Sequence, residues 1–375
     1  MMTESNVATL VEQAVEGLFK DAFRLSFNGL AQDHFCLQTM RYQKEAAGLR
    51  LHWHAAGVPV PPVMMVSITD RCNLRCQGCL AQAHLSSPRA EMDEGKVRSI
   101  FAEARELGIS IILLVGGEPL VRKEILDITR DFPEMIFLLF TNGLFLNEEL
   151  LGKFKDQKNV IPVMSLEGCE EETDGRRGKG VYRHLQGVIG QMKAENIFWG
   201  LSFTLAKPNF HTVTDPQFIK GLVDGGCRLF FFVEYKSMNG GPGDWVLTGE
   251  QRSNVLDEIE ALESRFNALF IAFPGSEERF GGCLSAGRGF VHISTDGDVE
   301  PCPFVPYSDS NLKNLSLKDA LRSEFLRNLR QNRPEQTGER RGGCALRENS
   351  EWVLTLLHSK TISIPKDNLS LCQKR

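Results

Sequence analysis

The sequence predicts an α/β protein: a partial (βα)6 TIM-like barrel with an N-terminal helical segment and a small C-terminal domain. The first observation behind this prediction is a regular alternation, from Val63 onward, of short apolar runs with helical patterns. The second is a change of character near residue 274, where Gly- and Pro-rich segments replace the alternation. The apolar runs, rich in Val, Ile and Phe, cover residues 63–69, 111–115, 136–141, 160–166, 198–205 and 229–235.

Continuous apolar runs are typical of strands that are buried on both faces of a parallel sheet. Helical patterns separate the runs or follow them, at about 92–107, 121–131, 147–155, 181–195, 214–224 and 249–266. Strict alternation of strand and helix implies βαβ units with right-handed crossovers. Six units fall two short of a full TIM barrel, and in such architectures the chemistry lies at the carboxyl ends of the strands.

The N-terminal segment precedes this barrel. Apolar residues at helical spacing predict a helix over residues 6–27 that packs against the barrel. The Pro-rich run at 58–63 predicts an extended linker into the first strand. We therefore expect a helical segment and linker over 1–62 and the barrel over 63–273.

The C-terminal domain is expected over 274–375. Two short strand patterns flank Asp296-Gly297, which is a strong signal for a β-hairpin. Residues 316–330 have the pattern of an amphipathic helix, opened by Ser316 and Asp319 in an arrangement that resembles a capping box.

Composition and charge narrow the class of protein. The 375 residues include 42% hydrophobic and 24% charged side chains, which is ordinary for a globular protein, and the net charge of −5 gives no reason to expect a nucleic-acid partner. The N-terminus does not read as a signal peptide, and no run approaches the roughly 18 apolar residues of a membrane span. We therefore expect a cytoplasmic protein, in which the ten cysteines stay reduced and metal binding is the leading reason for them.

The first cysteine group follows the first predicted strand directly. Cys72, Cys76 and Cys79 stand in a Cys-x3-Cys-x2-Cys spacing, with Gly78 available for a tight turn. Three thiolates can hold one iron–sulfur cluster and leave one iron open to an external chelating molecule. A structural zinc site normally has four protein ligands, so a Cys3His zinc site that includes His84 remains the alternative.

The triplet, in a six-unit barrel, resembles the radical S-adenosylmethionine (SAM) superfamily. The resemblance implies a [4Fe–4S] cluster on Cys72, Cys76 and Cys79 that cleaves SAM reductively. Further motifs follow later strands in the expected order, and each implies a SAM contact. The implied contacts are Gly116, Gly117, Glu118 and Pro119 for the methionine amino group, Thr141 and Asn142 after the third strand, Ser165 and Glu167 for the ribose, and Arg177 for the carboxylate.

A second cysteine group, Cys283, Cys302 and Cys344, lies around the predicted hairpin. This part resembles the SPASM/Twitch extension of radical SAM enzymes, in the shorter Twitch form, which implies one auxiliary [4Fe–4S] cluster. The fourth ligand is left open, either as a free iron position or as a distant residue such as Cys372. Dispersed structural thiols are the alternative.

Three further residues are candidates for a role in catalysis. Cys169 follows the fourth strand and would be placed to donate a hydrogen atom to a substrate radical, although a packed loop thiol is the simpler interpretation. Glu234 and Tyr235 end the sixth strand and are predicted to face the substrate.

The resemblance implies an enzyme that forms a 5′-deoxyadenosyl radical and abstracts hydrogen from an unactivated C–H bond of a small metabolite, lipid or peptide. Its expected electron donor is a flavodoxin or a ferredoxin-type protein. Maturation of a ribosomal peptide is an alternative, although residues 1–62 show no strand–hairpin–helix pattern for binding a leader peptide. A non-catalytic zinc scaffold or an electron-transfer protein are alternatives of another class.

Overall fold

The computed structural model describes residues 4–25, 30–83, 90–238, 241–275, 277–332 and 344–358. Within these residues the helices are α1 Glu4–Leu25, α2 Leu30–Ala55, α3 Leu80–Ala83, α4 Glu94–Leu107, α5 Ile125–Thr129, α6 Glu148–Asp156, α7 Glu170–Arg177, α8 Val181–Ala194, α9 Phe210–Thr214, α10 Pro216–Asp224, α11 Gly249–Arg265, α12 Leu317–Leu321, α13 Glu324–Gln331, α14 Ala345–Glu348 and α15 Ser350–His358. The strands are β1 Val63–Ser67, β2 Ile111–Val115, β3 Ile136–Thr141, β4 Val160–Ser165, β5 Gly200–Leu205, β6 Leu229–Glu234, β7 Leu269–Phe273, β8 Phe290–Ile293 and β9 Val299–Glu300.

The sheet has the order β7-β6-β5-β4-β3-β2-β1-β8-β9. Strands β1 to β7 pair in parallel, each with its sequence neighbour. All six strands predicted from the sequence are present, so the α/β class and the partial TIM-like barrel are confirmed. Strand β7 was not predicted as a strand, although its five residues, Leu269–Phe273, are all apolar.

The predicted hairpin around Asp296-Gly297 is also confirmed, because β8 and β9 pair antiparallel. Gly297 has a φ of +92°, in the left-handed region that glycine adopts without steric cost. Strand β8 pairs in parallel with β1. The hairpin therefore continues the barrel's own sheet beyond its first strand, and the C-terminal segment shares the same inner surface.

The helical expectations hold in part. Predicted helix 6–27 corresponds to α1, but α2 was not predicted, because its apolar residues do not form a stripe with helical spacing. The single helix expected over 316–330 is two helices, α12 and α13. The break occurs because the Ser323 side chain accepts from the Leu326 N–H and so starts a new helix.

The sheet separates two apolar layers. Its outer face packs against the barrel helices through residues such as Ile112, Leu114, Phe137 and Leu139. Its inner face carries Met65, Leu113, Leu138 and Phe231, and residues of α1 and α2 pack against this inner layer. Among them, Phe19 and Phe35 lie beside Ile136 and Val160, the first residues of β3 and β4, so α1 and α2 cover the amino ends of these strands.

A buried ion pair holds α1 and α2 in this position. The Arg50 guanidinium donates to both carboxylate oxygens of Glu12, at 2.6 and 2.5 Å. It also donates to the Gly108 carbonyl oxygen at 2.5 Å and to the Ser110 hydroxyl at 3.2 Å. With the amino ends covered, the carboxyl ends of the strands remain for the functional site. Among the described residues, no helix has the length and apolar character of a membrane span.

Candidate functional site

The loop after β1 brings the three cysteines Cys72, Cys76 and Cys79 to one cavity of about 300 Å³. All three are partly buried, and the backbone of the loop is anchored because the Gln77 N–H donates to the Arg176 carbonyl oxygen at 3.0 Å. The sequence prediction that these thiols act together therefore has a geometric basis.

The packing around this loop explains why glycine stands at position 78. Gly78 has a φ of +62°, and a Cβ atom there would lie 2.6 Å from the ring of Tyr235. Tyr235 is 2% exposed and lies behind the loop, where it also closely approaches Gly241. Tyr235 thus supports the cysteine loop and is absent from the residues that line the central cavity.

Two glycines at the end of β2 are required by the same loop. A Cβ atom on Gly116 would lie 2.5 Å from the Thr69 carbonyl oxygen, and one on Gly117 would lie 2.3 Å from that of Arg71. Residues 69–71 lead directly into Cys72, so close backbone approach between β2 and the cysteine loop excludes any side chain at these positions. Both glycines also line the cavity, as the sequence prediction required.

The Glu118 carboxylate is 1% exposed and accepts three hydrogen bonds. The donors are the Thr141 hydroxyl at 2.8 Å, the Asn142 N–H at 2.7 Å and the Leu120 N–H at 3.0 Å. Burial raises the pKa of Glu118, and these hydrogen bonds oppose the rise. Glu118 therefore joins the carboxyl end of β2 to that of β3.

Thr141, Asn142 and Ser165 line the cavity, in agreement with their expected place at strand ends. The Asn142 amide also lies 3.8 Å from the Cys72 sulfur. Pro119 is buried and begins the short 3-10 helix Pro119–Val121.

Glu167 forms a buried cluster with two arginines, Arg176 and Arg177. Each guanidinium lies 2.5 Å from the same Glu167 oxygen, and the other oxygen accepts from the Thr204 N–H at 3.0 Å. Two guanidinium groups thus share one carboxylate, and both arginines line the cavity. The sequence analysis identified Arg177 and Glu167 but not Arg176, although the two arginines are adjacent in the sequence.

These arginines also act on the cysteine loop. Burial raises the pKa of the Cys76 thiol, while the positive charges of Arg177 and Arg176 oppose that rise. Burial likewise raises the pKa of Cys72. Positive charge beside Cys76 favours its thiolate, which is the form that binds iron.

The fit of a cluster to this loop rests on these observations: three thiols on one loop, a shared cavity and adjacent positive charge. Among the residues that the structure describes, no three His, Cys, Asp or Glu side chains converge on a point where one metal ion would bind. A cubane instead spreads its thiolate ligands over separate irons. His84, the fourth ligand of the zinc alternative, lies outside the described residues.

The second cysteine group, Cys283, Cys302 and Cys344, is brought together by the fold. Burial raises the pKa of the Cys283 thiol to about 12 and that of Cys302 well above its ordinary value, and the neighbouring thiols add to both shifts. The charge of the Glu277 carboxylate also raises the pKa of each of the three thiols, so its field acts on the whole group. Sequence reasoning missed Glu277, and Cys372 lies outside the described residues.

The other predicted catalytic residues do not line the central cavity. Cys169 is exposed at the start of α7. Glu234 is buried and forms ion pairs with Lys236 at 2.7 Å and Arg252 at 2.9 Å. Neither residue is among those that line the cavity.

The hairpin contributes cavity residues that the sequence analysis did not identify. His292 bonds to Glu300 at 2.7 Å and to the Ser67 hydroxyl at 2.8 Å, and all three residues line the same cavity as the three cysteines. Ser294 and Thr295 line it as well. A histidine within the otherwise apolar strand β8 was the available signal.

Comparison with known proteins adds an independent observation. Residues 66–205 match the radical SAM superfamily, and residues 283–345 match an iron–sulfur cluster-binding domain, SPASM. The AdoMet-dependent heme synthase of Methanosarcina barkeri is 25% identical over 311 residues, which cover 76% of this chain and 88% of the relative. The PqqA peptide cyclase of Rhizobium meliloti is 28% identical over 134 residues, covering 35% of this chain and 36% of the relative.

The fold is also similar to that of solved structures. SuiB of Streptococcus suis, solved bound to its precursor peptide SuiA, matches with a TM-score of 0.63 at 16% identity, covering 83% of this chain and 74% of SuiB. The anSMEcpe enzyme with bound AdoMet matches with a TM-score of 0.55 at 16% identity, covering 70% of this chain and 80% of that protein.

Proposed function

Because the chain is an enzyme of the radical SAM superfamily with a C-terminal SPASM iron–sulfur domain, we propose that its central cavity binds SAM and cleaves it reductively. The observation that supports this most directly is the joint placement of Cys72, Cys76 and Cys79 with Arg176 and Arg177 around one cavity. The cofactors of the enzyme are [4Fe–4S] clusters and SAM.

Cys72, Cys76 and Cys79 would hold the cluster that faces the cavity. When bound, this cluster supplies the electron that splits SAM into methionine and a 5′-deoxyadenosyl radical, which takes hydrogen from a substrate carbon. The chain's own residues bind and orient the reactants. The guanidinium groups of Arg176 and Arg177, which share one carboxylate, suit the SAM carboxylate, since a charge-assisted hydrogen bond to a guanidinium is short and strong.

The remaining side chains shape the SAM-binding side of the cavity. Gly116 and Gly117 leave backbone exposed there, and Thr141, Asn142 and Ser165 offer hydroxyl and amide groups to a polar ligand. Glu118 and Glu167 accept hydrogen bonds from several protein donors and are not among the residues that line the cavity, so we assign them to orienting these groups and the arginines.

Cys283, Cys302 and Cys344 would hold the auxiliary cluster. Their thiols are close to one another, two of them lie in the inner apolar layer, and Pro303 next to Cys302 lines the cavity. This placement supports a cluster within reach of a substrate in the cavity. Glu277 is the described side chain we would test as its fourth ligand.

The substrate is proposed to be a small molecule. Helices α1 and α2 occupy the N-terminal segment, and its described residues contain no strand with which a leader peptide would pair. Relatives that align with three quarters of this chain are named heme synthases, which makes an iron porphyrin the first substrate to test. A peptide substrate remains the second candidate, because SuiB, solved with a precursor peptide, has a similar fold.

The electron is proposed to come from a flavodoxin or ferredoxin-type donor, for which dithionite substitutes in the test. Anaerobically reconstituted protein is incubated with SAM and dithionite, and 5′-deoxyadenosine is quantified with and without Fe-coproporphyrin III, the iron porphyrin after which another relative from Methanosarcina barkeri is named. We expect 5′-deoxyadenosine in both cases, with more formed when a true substrate is present. Absence of 5′-deoxyadenosine from protein that holds its iron would contradict the proposed function.

A further inference from the structure

The inner surface of the barrel carries a line of three hydrogen-bonded polar side chains: Ser67, His292 and Glu300. Side chains alternate between the two faces of a strand, so Met65 and Ser67 of β1 point to the same face. His292 is paired with Met65 across the parallel β1–β8 ladder, and Glu300 is paired with His292 across the β8–β9 ladder. Three neighbouring strands therefore place these side chains together on the inner face.

The hydrogen bonds fix the role of each group. The His292 ring is bonded through Nδ1 to a Glu300 oxygen at 2.7 Å and through Nε2 to the Ser67 hydroxyl at 2.8 Å. A carboxylate only accepts, so Nδ1 carries the proton that it donates to Glu300. In the neutral imidazole Nε2 is then the acceptor for the Ser67 hydroxyl, and the chain of hydrogen bonds runs from serine to histidine to carboxylate.

Burying these polar side chains costs free energy, and a functional role would account for that cost. His292 is 6% exposed and Glu300 is 3% exposed. Their surroundings on the inner face are apolar, among them Met65, Leu113 and Phe290. Replacing a buried polar pair by packed apolar residues is often neutral or stabilising, so stability alone does not account for these side chains.

The position of these three polar side chains relative to the cysteine loop suggests a functional role for them. Ser67, His292 and Glu300 line the same cavity as Cys72 and Cys76. A substrate that meets a radical formed beside the cysteines would therefore also meet the Ser67 hydroxyl. Titratable groups that converge on a cavity beside a reactive centre are candidates for acid–base chemistry.

We propose that Ser67, His292 and Glu300 form an acid–base site that accepts a proton from the substrate. This inference rests on the proposed function, which assigns SAM and the substrate to the same cavity. The substrate class is a molecule with an ionisable X–H group, such as a hydroxyl, carboxylic acid or ammonium. The X–H bond breaks and its electron pair stays on X, while the proton passes to the Ser67 oxygen. The hydroxyl proton of Ser67 passes in turn to Nε2 of His292, and Glu300 stabilises the resulting cation.

A covalent serine reagent tests the hydrogen-bonded chain of Ser67, His292 and Glu300, and this test does not require the substrate to be known. Diisopropyl fluorophosphate reacts with a serine whose proton is taken by a base: an O–P bond forms, the P–F bond breaks and fluoride leaves. We expect the reconstituted holoenzyme to be labelled at Ser67, detected by mass spectrometry of the peptide. His292→Gln should slow labelling by about 100-fold, the usual contribution of a general base. Glu300→Gln should slow it by about 10-fold, because the ring loses its orienting partner.

The control is His211→Gln, since His211 is an exposed histidine on α9 far from these residues in the sequence. Ser67→Ala must abolish the labelled peptide, and circular dichroism and iron content show that each variant is folded. Glu300→Gln preserves the side-chain shape and so serves if His292→Gln does not fold. No labelling of Ser67, or labelling that is independent of His292 and Glu300, would overturn the proposal.

Formation of 5′-deoxyadenosine by the wild-type protein is measured separately. Labelled Ser67 without 5′-deoxyadenosine would reject the proposed function and retain the acid–base chain. Formation of 5′-deoxyadenosine without labelling of Ser67 would reject the acid–base chain and retain the proposed function.

Discussion

At the scale of single residues, two guanidinium groups at one side of the cavity share a single carboxylate. Arg176 and Arg177 share the Glu167 carboxylate, which is 1% exposed. A buried cation without its own anion is costly, and that cost falls when an anionic ligand binds. The side of the cavity that Arg176 and Arg177 line therefore favours a ligand group that carries a negative charge.

Replacing Arg177 by Ala should weaken SAM binding by about 10-fold or more, since a hydrogen bond to a charged group contributes about 1.5–3 kcal/mol. Arg176→Ala should have an effect in the same direction. Equilibrium dialysis with the reconstituted protein gives the Kd, and Arg98→Ala, which removes a surface ion pair to Asp131, is the matched control. An unchanged Kd together with a lower Tm would mean that these arginines only support the fold.

A second residue-scale prediction concerns Gly117. A Cβ atom there would lie 2.3 Å from the Arg71 carbonyl oxygen, so Gly117→Ala must displace the backbone that leads into Cys72. We expect the variant to lose about half of its iron, because a two-cluster enzyme would lose one cluster. Gly152→Ala, in α6 with no atom near its would-be Cβ, should keep all of its iron. Equal iron contents in the two variants would contradict this account.

At the scale of elements, two additions to the barrel define the cavity. Helices α1 and α2 cover the amino ends of β3 and β4, and the β8–β9 hairpin extends the sheet beyond β1. The hairpin adds cavity residues and leads directly into Cys302. The site is thus shared between the barrel and the C-terminal segment.

The anchoring of α1 and α2 depends on Arg50. Replacing it by Met leaves the Glu12 carboxylate without its partner and removes the contacts to Gly108 and Ser110. Breaking a buried pair in this way should lower the free energy of unfolding by about 3 kcal/mol. Urea unfolding measures it, and Arg41→Met, which removes the exposed pair with Glu45, should cause no measurable change. Equal stability of the two variants would show that the pair does not anchor α1 and α2.

The auxiliary cysteines make a further prediction at this scale. Cys302→Ala should cost about half of the iron and make residues 277–332 more susceptible to limited proteolysis, because metal binding and local folding are coupled. SAM cleavage should persist without product formation, since the ligands of the first cluster lie upstream. Full iron content with a protease-resistant C-terminal segment would mean that these thiols are structural.

At the scale of the whole molecule, the sequence predicted the parts of the fold that depend on periodicity. Buried parallel strands appear as continuous apolar runs, so β1 to β6 were predicted, and Asp296-Gly297 marked the hairpin. Helix α2 has no apolar stripe, so its helical state could not be predicted from spacing. The pairing of β8 with β1 joins residues more than 200 positions apart, which no local pattern encodes.

The residues of the candidate site likewise fall into those that the sequence predicted and those that it did not. Residues on the cysteine loop and at strand ends were predicted because strand ends converge at one edge of a parallel sheet. Ser67, Arg176 and His292 were missed, since their roles depend on side-chain partners distant in sequence. Glu234 is the last residue of β6, and Tyr235 follows it directly. Glu234 is held by ion pairs and Tyr235 packs against Gly78, so neither is among the residues that line the cavity.

The most direct test of the account compares two triple variants of the reconstituted enzyme. Replacing Cys72, Cys76 and Cys79 by Ala should halve the iron, from about eight to about four per chain, and abolish 5′-deoxyadenosine formation from SAM and dithionite. Replacing Cys283, Cys302 and Cys344 by Ala should remove a similar amount of iron and leave 5′-deoxyadenosine formation measurable. Formation of 5′-deoxyadenosine by the variant that lacks Cys72, Cys76 and Cys79 would contradict the central claim.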